Sequence, residues 1–133
     1  IAQRDKKNII LLYADVDNLK YINDTFGHPY GDQALRETAQ SIKSTFRKSD
    51  LIARIGGDEF VVLAIENTRA SPESLMDRLR KKLASFNAQG DRDYQLSLSM
   101  GWVYHDHTSP RSLEELIHQA DQAMYNQKKN GRS

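Results

Sequence analysis

The stretch Leu51–Ile65, with the sequence LIARIGGDEFVVLAI, determines the fold that this sequence predicts. It contains two apolar runs, Leu51–Ile55 and Phe60–Ile65, joined by the four residues Gly56–Glu59. A Gly-Gly pair between apolar runs predicts a β-hairpin, because glycine accepts the positive φ that tight turns require. Upstream, the apolar run Ile9–Ala14 predicts a central strand that is buried on both faces. The sequence therefore predicts a sheet built around these strands.

The rest of the chain supplies helices and one more strand. The alternation of apolar and polar residues over Tyr94–Tyr104 predicts a half-buried strand. Helix-start signals occur at four places, namely Asp17, Gly31–Asp32, Ser71-Pro72 and the capping box Ser112–Glu115. The first helix is predicted to run to about Phe26, with Asp17 as its N-cap. The resulting order, β-α-α-β-β-α-β-α, predicts an α+β sandwich with a mainly antiparallel central sheet flanked by helices.

The composition fits one domain spanning residues 1–133. Hydrophobic residues make up 38% of the chain, enough for one compact core, and the formal net charge is +1. That charge balance argues against the broad basic surface of a nucleic-acid-binding protein, so no nucleic-acid partner is predicted. Cysteine is absent, and no apolar run reaches the roughly 18 residues that span a bilayer. We therefore expect a cytoplasmic protein.

Acidic residues follow the predicted strands. Asp15 and Asp17 flank Val16, so in extended chain their carboxylates point to the same side. Asp58 and Glu59 lie at the tip of the hairpin, and they would approach Asp15 if the hairpin paired beside the first strand. Clustered acids are costly unless a cation neutralises them, and hard oxygen ligands suit Mg²⁺. The sequence also lacks a G-x-x-x-x-G-K-[ST] loop, which excludes a P-loop nucleotide site.

Each acidic signal has an ordinary alternative when it is taken alone. Asp17 is a typical helix cap. Asp58 and Glu59 are equally compatible with a solvated turn. The case for a metal site therefore depends on these residues occurring together.

Several motifs in one order and spacing add a family resemblance. They are DVDNLKYINDTFGH at Asp15–His28, Gly31-Asp32, RIGGDEF at Arg54–Phe60, and the closing residues Asp121, Ala123, Tyr125, Lys128, Gly131 and Arg132. Together they resemble the GGDEF family of diguanylate cyclases, enzymes that join two GTP molecules into cyclic di-GMP. The resemblance runs from about Asn8 to Ser133. It implies the family's palm-like fold, which is related to class III nucleotide cyclases and polymerase palms.

The resemblance implies a role for each matching position in the catalytic centre. Asp15 and Asp58, with the carbonyl of Val16, would bind two Mg²⁺ (or Mn²⁺) ions. Glu59 would be a metal-proximal acid or a base. The implied catalytic residues are therefore Asp15, Asp58, Glu59 and Lys20, of which Lys20 would bind phosphate. Leu19 stands where the family usually has Phe, a change between apolar residues that we expect to leave activity intact.

The resemblance also implies how GTP is bound. The backbone amides of Asn18, Leu19 and Lys20 would hold the β- and γ-phosphates at a helix N-terminus. Positive charge for the triphosphate would come from Lys20, Lys128 and Arg132, although a solvated basic helix end is the alternative. Asn23 and Asp32 would bind the guanine edge, since a carboxylate accepts from its paired N1–H and 2-amino donors. Asp32 therefore favours GTP over ATP, although an ordinary acid at a helix N-terminus is the alternative.

A further implied site is regulatory. Arg47 and Asp50 form an R-x-x-D directly before Leu51. In the family, this location binds the product, cyclic di-GMP, and inhibits the enzyme. The alternative is an ordinary i,i+3 surface ion pair, which contributes little.

The resemblance finally implies partners. Two domains, each with one GTP, would meet face to face, so catalysis would require a homodimer. The family's upstream segment, of the form D-x-L-T-G-L-x-N-R-R, is missing from this sequence. We therefore expect the chain to be the catalytic domain of a larger protein that has an upstream sensory domain. This expectation includes a sensor that is anchored in a membrane. The alternative function is a non-catalytic module that senses GTP or cyclic di-GMP. Two further alternatives are mixed cyclic GMP–AMP synthesis and polymerase-like nucleic-acid binding. Asp32 argues against the first, and the lack of a basic stripe argues against the second.

Overall fold

The computed structural model describes residues 8–65, 71–89 and 93–130, with the side chains of 128–130 left out. Its elements follow the predicted order. They are β1 (Ile9–Val16), α1 (Leu19–Phe26), α2 (His28–Thr45), β2 (Leu51–Arg54), β3 (Glu59–Ile65), α3 (Pro72–Gln89), β4 (Leu98–His105) and α4 (Leu113–Asn130). The predicted α+β class is confirmed.

The sheet has four strands in the order β2-β3-β1-β4, and every neighbouring pair is antiparallel. The apolar run before Asp15 is central, as predicted, because β1 lies between β3 and β4. Seven of its eight residues are buried. The register places Asp15 opposite Glu59 on β3 and opposite Ser99 on β4. This pairing brings the end of β1 beside the start of β3.

Helices cover both faces of the sheet. On one face, Leu12 packs in a core cluster with Ile42 of α2 and Leu79 of α3. On the other face, Leu11 packs with Leu116 and further residues of α4. Alternate residues of β1 thus serve opposite cores, as the period of two in a strand requires.

Gly101 on β4 sets the distance between α4 and the sheet. A Cβ atom at this position would collide with the backbone of Ala120 and Met124 on α4. The helix backbone therefore rests directly on the strand, which only glycine permits here.

The local prediction for the first helix was wrong. Asp17 is not its N-cap; the cap position is Asn18, which adopts the left-handed conformation with φ 61°. Asparagine tolerates this conformation better than most residues. The Asp17 carboxylate instead accepts hydrogen bonds from the hydroxyls of Ser97 (2.6 Å) and Ser99 (2.5 Å). A long-range contact has replaced the local one that the sequence suggested.

Other boundaries also differ. Helix α2 begins at His28 rather than Gly31, because Pro29 is compatible with the first helical turn. Strand β4 begins at Leu98, although Tyr94 and Leu96 before it are still buried. The expected positive φ in the hairpin is absent: within the described residues, Gly27 is the glycine with positive φ (101°). Backbone handedness therefore does not account for the glycines of the hairpin.

Among the helices of the described ranges, none is both long and apolar enough to cross a membrane.

Candidate active site

Three carboxylates meet where β1 ends and the hairpin turns. Asp15, Asp58 and Glu59 each place an oxygen within 4.8 Å of the others. Asp15 is buried, with 9% of its surface exposed, and the two hairpin acids are half-buried. The tip of the hairpin is fixed to β1 because the N–H of Val16 donates to the carbonyl of Asp58 (2.9 Å). The convergence expected from the sequence is therefore present in the fold.

The hairpin is shaped by Arg54 and by the absence of a side chain at position 56. The guanidinium of Arg54 donates to the carbonyls of Gly56 (3.1 Å) and Gly57 (2.7 Å), and thus ties the turn together. A Cβ atom on Gly56 would lie 2.6 Å from Oε1 of Glu59, whereas one on Gly57 would meet nothing within 4 Å. Gly56 therefore provides the space that the Glu59 carboxylate occupies.

Tyr13 belongs to the same cluster, although its sequence position suggested only a core residue. It is 5% exposed, and it lies on the same face of the sheet as Glu59, diagonally across the β1–β3 pair, where the Glu59 carboxylate acts on its hydroxyl. Burial raises the pKa of the Tyr13 phenol well above its usual value, and the negative charges of Glu59, Asp121 and Asp15 raise it further. The phenol is therefore a neutral donor among acids. The available signal was its place two residues before Asp15, on the same face of the strand.

The chemistry of these donors fits a hard divalent cation. Three carboxylates gather in a partly desolvated volume, where their mutual repulsion is costly without a counter-charge. Mg²⁺ and Mn²⁺ favour carboxylate oxygens and accept substrate phosphates in their remaining positions. Asp17, which the sequence placed next to this group, is instead engaged with two serine hydroxyls of the β4 segment.

The N-terminus of α1 lies directly after this acidic group in the chain. The first N–H groups of a helix have no partner within it, and the Asn18 side chain makes no capping hydrogen bond. Leu19 packs against the core, while the Lys20 side chain is 90% exposed and pairs with Asp24 (3.0 Å). Backbone donors are thus available where the phosphates were expected, but Lys20 is paired along its own helix.

Of the two residues expected to bind guanine, Asn23 is positioned by the packing of α1 on α2. A Cβ atom on Gly31 would overlap the Asn23 side chain, so Asn23 lies directly on the residue that precedes Asp32 in the chain. Asp32 also lines a cavity of about 370 Å³ between α2 and the hairpin. Its other lining residues are Leu35, Arg36, Ala39, Lys43, Ile52, Arg54 and Phe60.

The R-x-x-D turn lies at the other end of β3. The guanidinium of Arg47 donates to the carbonyl of Ile65 (3.1 Å), the last residue of β3. The acidic cluster instead contains Glu59, the first residue of the same strand. Six residues of strand correspond to about 20 Å. The structure therefore does not bring this turn to the acidic cluster.

Asp50 is buried rather than a surface partner, with 3% of its side chain exposed. Its Oδ2 accepts from the N–H of Arg47 (2.9 Å), and Oδ1 lies 3.8 Å from the Arg47 guanidinium. The carboxylate thus closes the turn from within.

Two of the expected phosphate-binding cations cannot be placed. Lys128 lies within α4, but its side chain is outside the described part of the chain. Arg132 lies outside the described residues.

A family model described as "Diguanylate cyclase, GGDEF domain" matches residues 1–133, the whole chain. The chain belongs to the GGDEF family. The family resemblance that the motifs around Asp15, Asp32 and Asp58 indicated is therefore confirmed. The chain spans only 19% to 38% of the length of the first curated relatives that it matches.

Individual relatives of this GGDEF domain differ in their named activities. Diguanylate cyclase DosC of Escherichia coli (strain K12) is 36% identical over 135 residues, which cover 99% of this chain and 29% of DosC. Cyclic di-GMP phosphodiesterase PdeR of the same strain is 35% identical over 133 residues, 99% of this chain and 20% of PdeR. The solved GGDEF domain of DgcB from Caulobacter crescentus, in complex with c-di-GMP, matches with a TM-score of 0.82 at 26% identity, covering 98% of this chain and 77% of that one.

Proposed function

We propose that this GGDEF domain condenses two molecules of GTP into cyclic di-GMP and releases pyrophosphate. The observation that carries the proposal is the cluster of Asp15, Asp58 and Glu59 at the end of β1. Three carboxylates held together repel one another unless a cation offsets their charge. Phosphoryl transfer is a reaction that uses bound metal cations. The names of relatives such as DosC support the same activity.

In this proposal, Asp15, Asp58 and the Val16 carbonyl hold two Mg²⁺ or Mn²⁺ ions. When bound, such ions activate an attacking oxygen and offset the charge that develops on a phosphoryl group. The 3′-hydroxyl of one GTP forms a bond to the α-phosphorus of the other, while the bond from that phosphorus to pyrophosphate breaks. Glu59 is either a further metal-proximal acid or the base that accepts the hydroxyl proton. A second round with the roles exchanged closes the ring.

Substrate binding is proposed to use the residues around α1. The N–H groups of Asn18, Leu19 and Lys20 would hold phosphate oxygens, which the positive end of a helix favours. The exposed Lys20 side chain would exchange Asp24 for phosphate, with Lys128 and Arg132 as further cations. Asn23 and Asp32 would bind the guanine edge, a role supported by the contact of Asn23 with Gly31, the residue before Asp32.

Each domain would supply one of the two GTP molecules, so we propose that catalysis requires a homodimer. We also propose that Arg47 and Asp50 bind cyclic di-GMP as an inhibitor. The solved DgcB domain in complex with c-di-GMP supports binding of this nucleotide within the family. We further propose that the domain works in the cytoplasm as the output of an upstream sensory domain.

The alternative is a non-catalytic module that senses GTP or cyclic di-GMP. It is favoured by the relative PdeR, whose name gives a phosphodiesterase rather than a cyclase. Against it, the positions at which the family binds metal and guanine keep competent residues, including Asp15, Asp32 and Asp58.

The test is product formation from GTP and Mg²⁺ at high protein concentration, followed by chromatography. We expect cyclic di-GMP from the parent chain and loss of at least about 100-fold of the rate in Asp58→Ala, because the metal site loses a carboxylate. Asp77→Ala is the matched control, since Asp77 forms an exposed pair with Lys81 on α3 (3.2 Å). Wild-type-like turnover in Asp58→Ala would refute the metal assignment. Binding of GTP without turnover by the parent would favour the sensing module.

A further inference from the structure

Tyr13 lies on the same face of the sheet as the acidic cluster. In the register of β1 with β3, Asp15 is opposite Glu59 and Tyr13 is opposite Val61. Tyr13 and Glu59 are therefore diagonal neighbours, a separation that a long aromatic side chain can bridge. The sheet itself directs the phenol toward the hairpin acids.

Helix α4 packs on the Tyr13 ring and fixes its position. Tyr13 packs in a buried cluster with Leu116 and Ala120 of that helix. Its other cross-strand partner is Gly101, the residue that allows the α4 backbone to rest on the sheet. A ring held in this way has little rotational freedom, so its hydroxyl points in one direction.

The carboxylate nearest the hydroxyl in this register, that of Glu59, is crowded on its other side. Glu59 has its Oε1 where a Cβ of residue 56 would be, and its carboxylate shares the cluster with Asp15 and Asp58. The Asp121 charge on α4 acts on the same phenol. A hydroxyl can orient one acid in this group without bringing a positive charge that would compete with a metal ion.

We propose that Tyr13 is a positioning residue for the metal site, whose buried hydroxyl fixes the Glu59 carboxylate against Gly56 and beside Asp15. The inference rests on the proposed function, and it adds a residue that the motif around the acids does not contain. Tyr13 acts through Glu59 and needs no contact with the nucleotide. Its ring contributes to the core in any case, so the two contributions must be separated by experiment.

The experiment measures binding of Mn²⁺ alone to the purified chain by electron paramagnetic resonance. We expect Tyr13→Phe to weaken binding about 5- to 10-fold, because hydrogen bonds to charged groups are the stronger ones. The matched control is Tyr104→Phe, which loses a hydroxyl bonded to Asn8 (2.7 Å) on the opposite face of the sheet, and which should bind Mn²⁺ as the parent does. Equal binding by the two variants would overturn the proposal.

Pairing each variant with Glu59→Gln separates positioning from packing. If Tyr13 acts through Glu59, Tyr13→Phe has no further effect on Mn²⁺ binding in the Glu59→Gln background, as a double-mutant cycle requires. An undiminished effect in that background would show that the tyrosine acts only through packing. Thermal unfolding checks that both phenylalanine variants are folded, and Tyr13→Met, which also lacks the hydroxyl, replaces Tyr13→Phe if the latter does not fold.

The proposed function can fail separately. If the parent binds Mn²⁺ and Tyr13→Phe weakens it, but no cyclic di-GMP forms, the cyclase proposal fails while the positioning role stands. If the parent does not bind Mn²⁺, the metal site and the role of Tyr13 are both refuted. If cyclic di-GMP forms and Tyr13→Phe binds Mn²⁺ like the parent, only the positioning role is refuted.

Discussion

The two ends of β3 carry acids in opposite circumstances. At the Asp50 end, the buried carboxylate accepts from the N–H of Arg47 and lies near its guanidinium, so the charge is offset within four residues of chain. At the Glu59 end, three carboxylates gather, and the nearby Arg54 is directed to the Gly56 and Gly57 carbonyls instead. At the Asp50 end a cation lies near the acid, although Oδ1 of Asp50 accepts no hydrogen bond from the described residues, whereas the Glu59 end accumulates charge of one sign.

This difference separates an acid that contributes to stability from acids that are proposed to bind a metal ion. A buried acid that has its partner within the same turn mainly stabilises the fold. A group of acids held together by the hairpin and by Tyr13 costs stability, and a fold retains such a group where a ligand offsets the cost. Breaking the two ends should therefore have different consequences: loss of metal binding at one end and loss of stability at the other.

Among the changes that compare the two ends of β3, the largest effect is expected from Gly56→Ala, which places a methyl group 2.6 Å from Oε1 of Glu59. We expect turnover and Mn²⁺ affinity to fall by roughly 10-fold or more, because a misplaced catalytic group is costly even at about 1 Å. The measurement is the rate of cyclic di-GMP formation together with the Mn²⁺ titration. Gly57→Ala is a close control, since a Cβ there meets nothing within 4 Å. Equal losses in both variants would mean that the turn needs glycine for its backbone and not for Glu59.

A smaller and different effect is expected at the other end of the strand. Asp50→Ala removes the acceptor for the Arg47 N–H from a buried position, so the free energy of unfolding should fall by about 1–3 kcal/mol. Turnover at low product concentration should stay within about twofold of the parent, while inhibition by added cyclic di-GMP should weaken if the turn is the inhibitory site. Urea denaturation and the initial rate measure the two quantities, and Asp77→Ala again serves as the exposed control. A loss of turnover as large as that of Gly56→Ala would contradict the contrast between the two ends.

The sequence predicted most of the fold because its signals were local or periodic. The apolar run before Asp15, the hairpin and the capping box at Ser112 each depend on near neighbours in the chain, and each matches an element of the structure. Pairing of β1 with β3 then followed, and with it the meeting of Asp15, Asp58 and Glu59.

What the sequence missed depends on contacts between distant residues. Asp17 is a plausible cap by sequence, but it bonds to Ser97 and Ser99, which are about 80 positions away. Tyr13 was counted as part of an apolar run because it comes near Glu59 only after β1 has paired with β3. Gly56 was explained by backbone handedness, whereas in the folded hairpin the Glu59 carboxylate occupies the space beside it.

The smallest expected effect is a change in the pH dependence of stability at Asp106, an exposed acid just after β4 that accepts hydrogen bonds from a neighbouring residue. Its carboxylate accepts from the N–H and the hydroxyl of Thr108, both at 2.9 Å, and these bonds hold the pKa of Asp106 below its usual value. A carboxyl group whose pKa is lowered by folding stabilises the folded state above its unfolded pKa. That contribution disappears as the pH falls through the lowered value.

Asp106→Asn should therefore unfold at a slightly lower urea concentration than the parent near neutral pH, and the difference should vanish in strongly acidic solution. Urea midpoints over a pH series measure this, with Asp77→Asn as an exposed acid for comparison. A difference that persists in acid would mean that the asparagine disturbs the Asp106–Thr108 turn itself. A difference confined to higher pH would show that a single acid with backbone and hydroxyl donors stabilises the fold by ionising, whereas we propose that the acids of the Asp15 cluster need a bound cation.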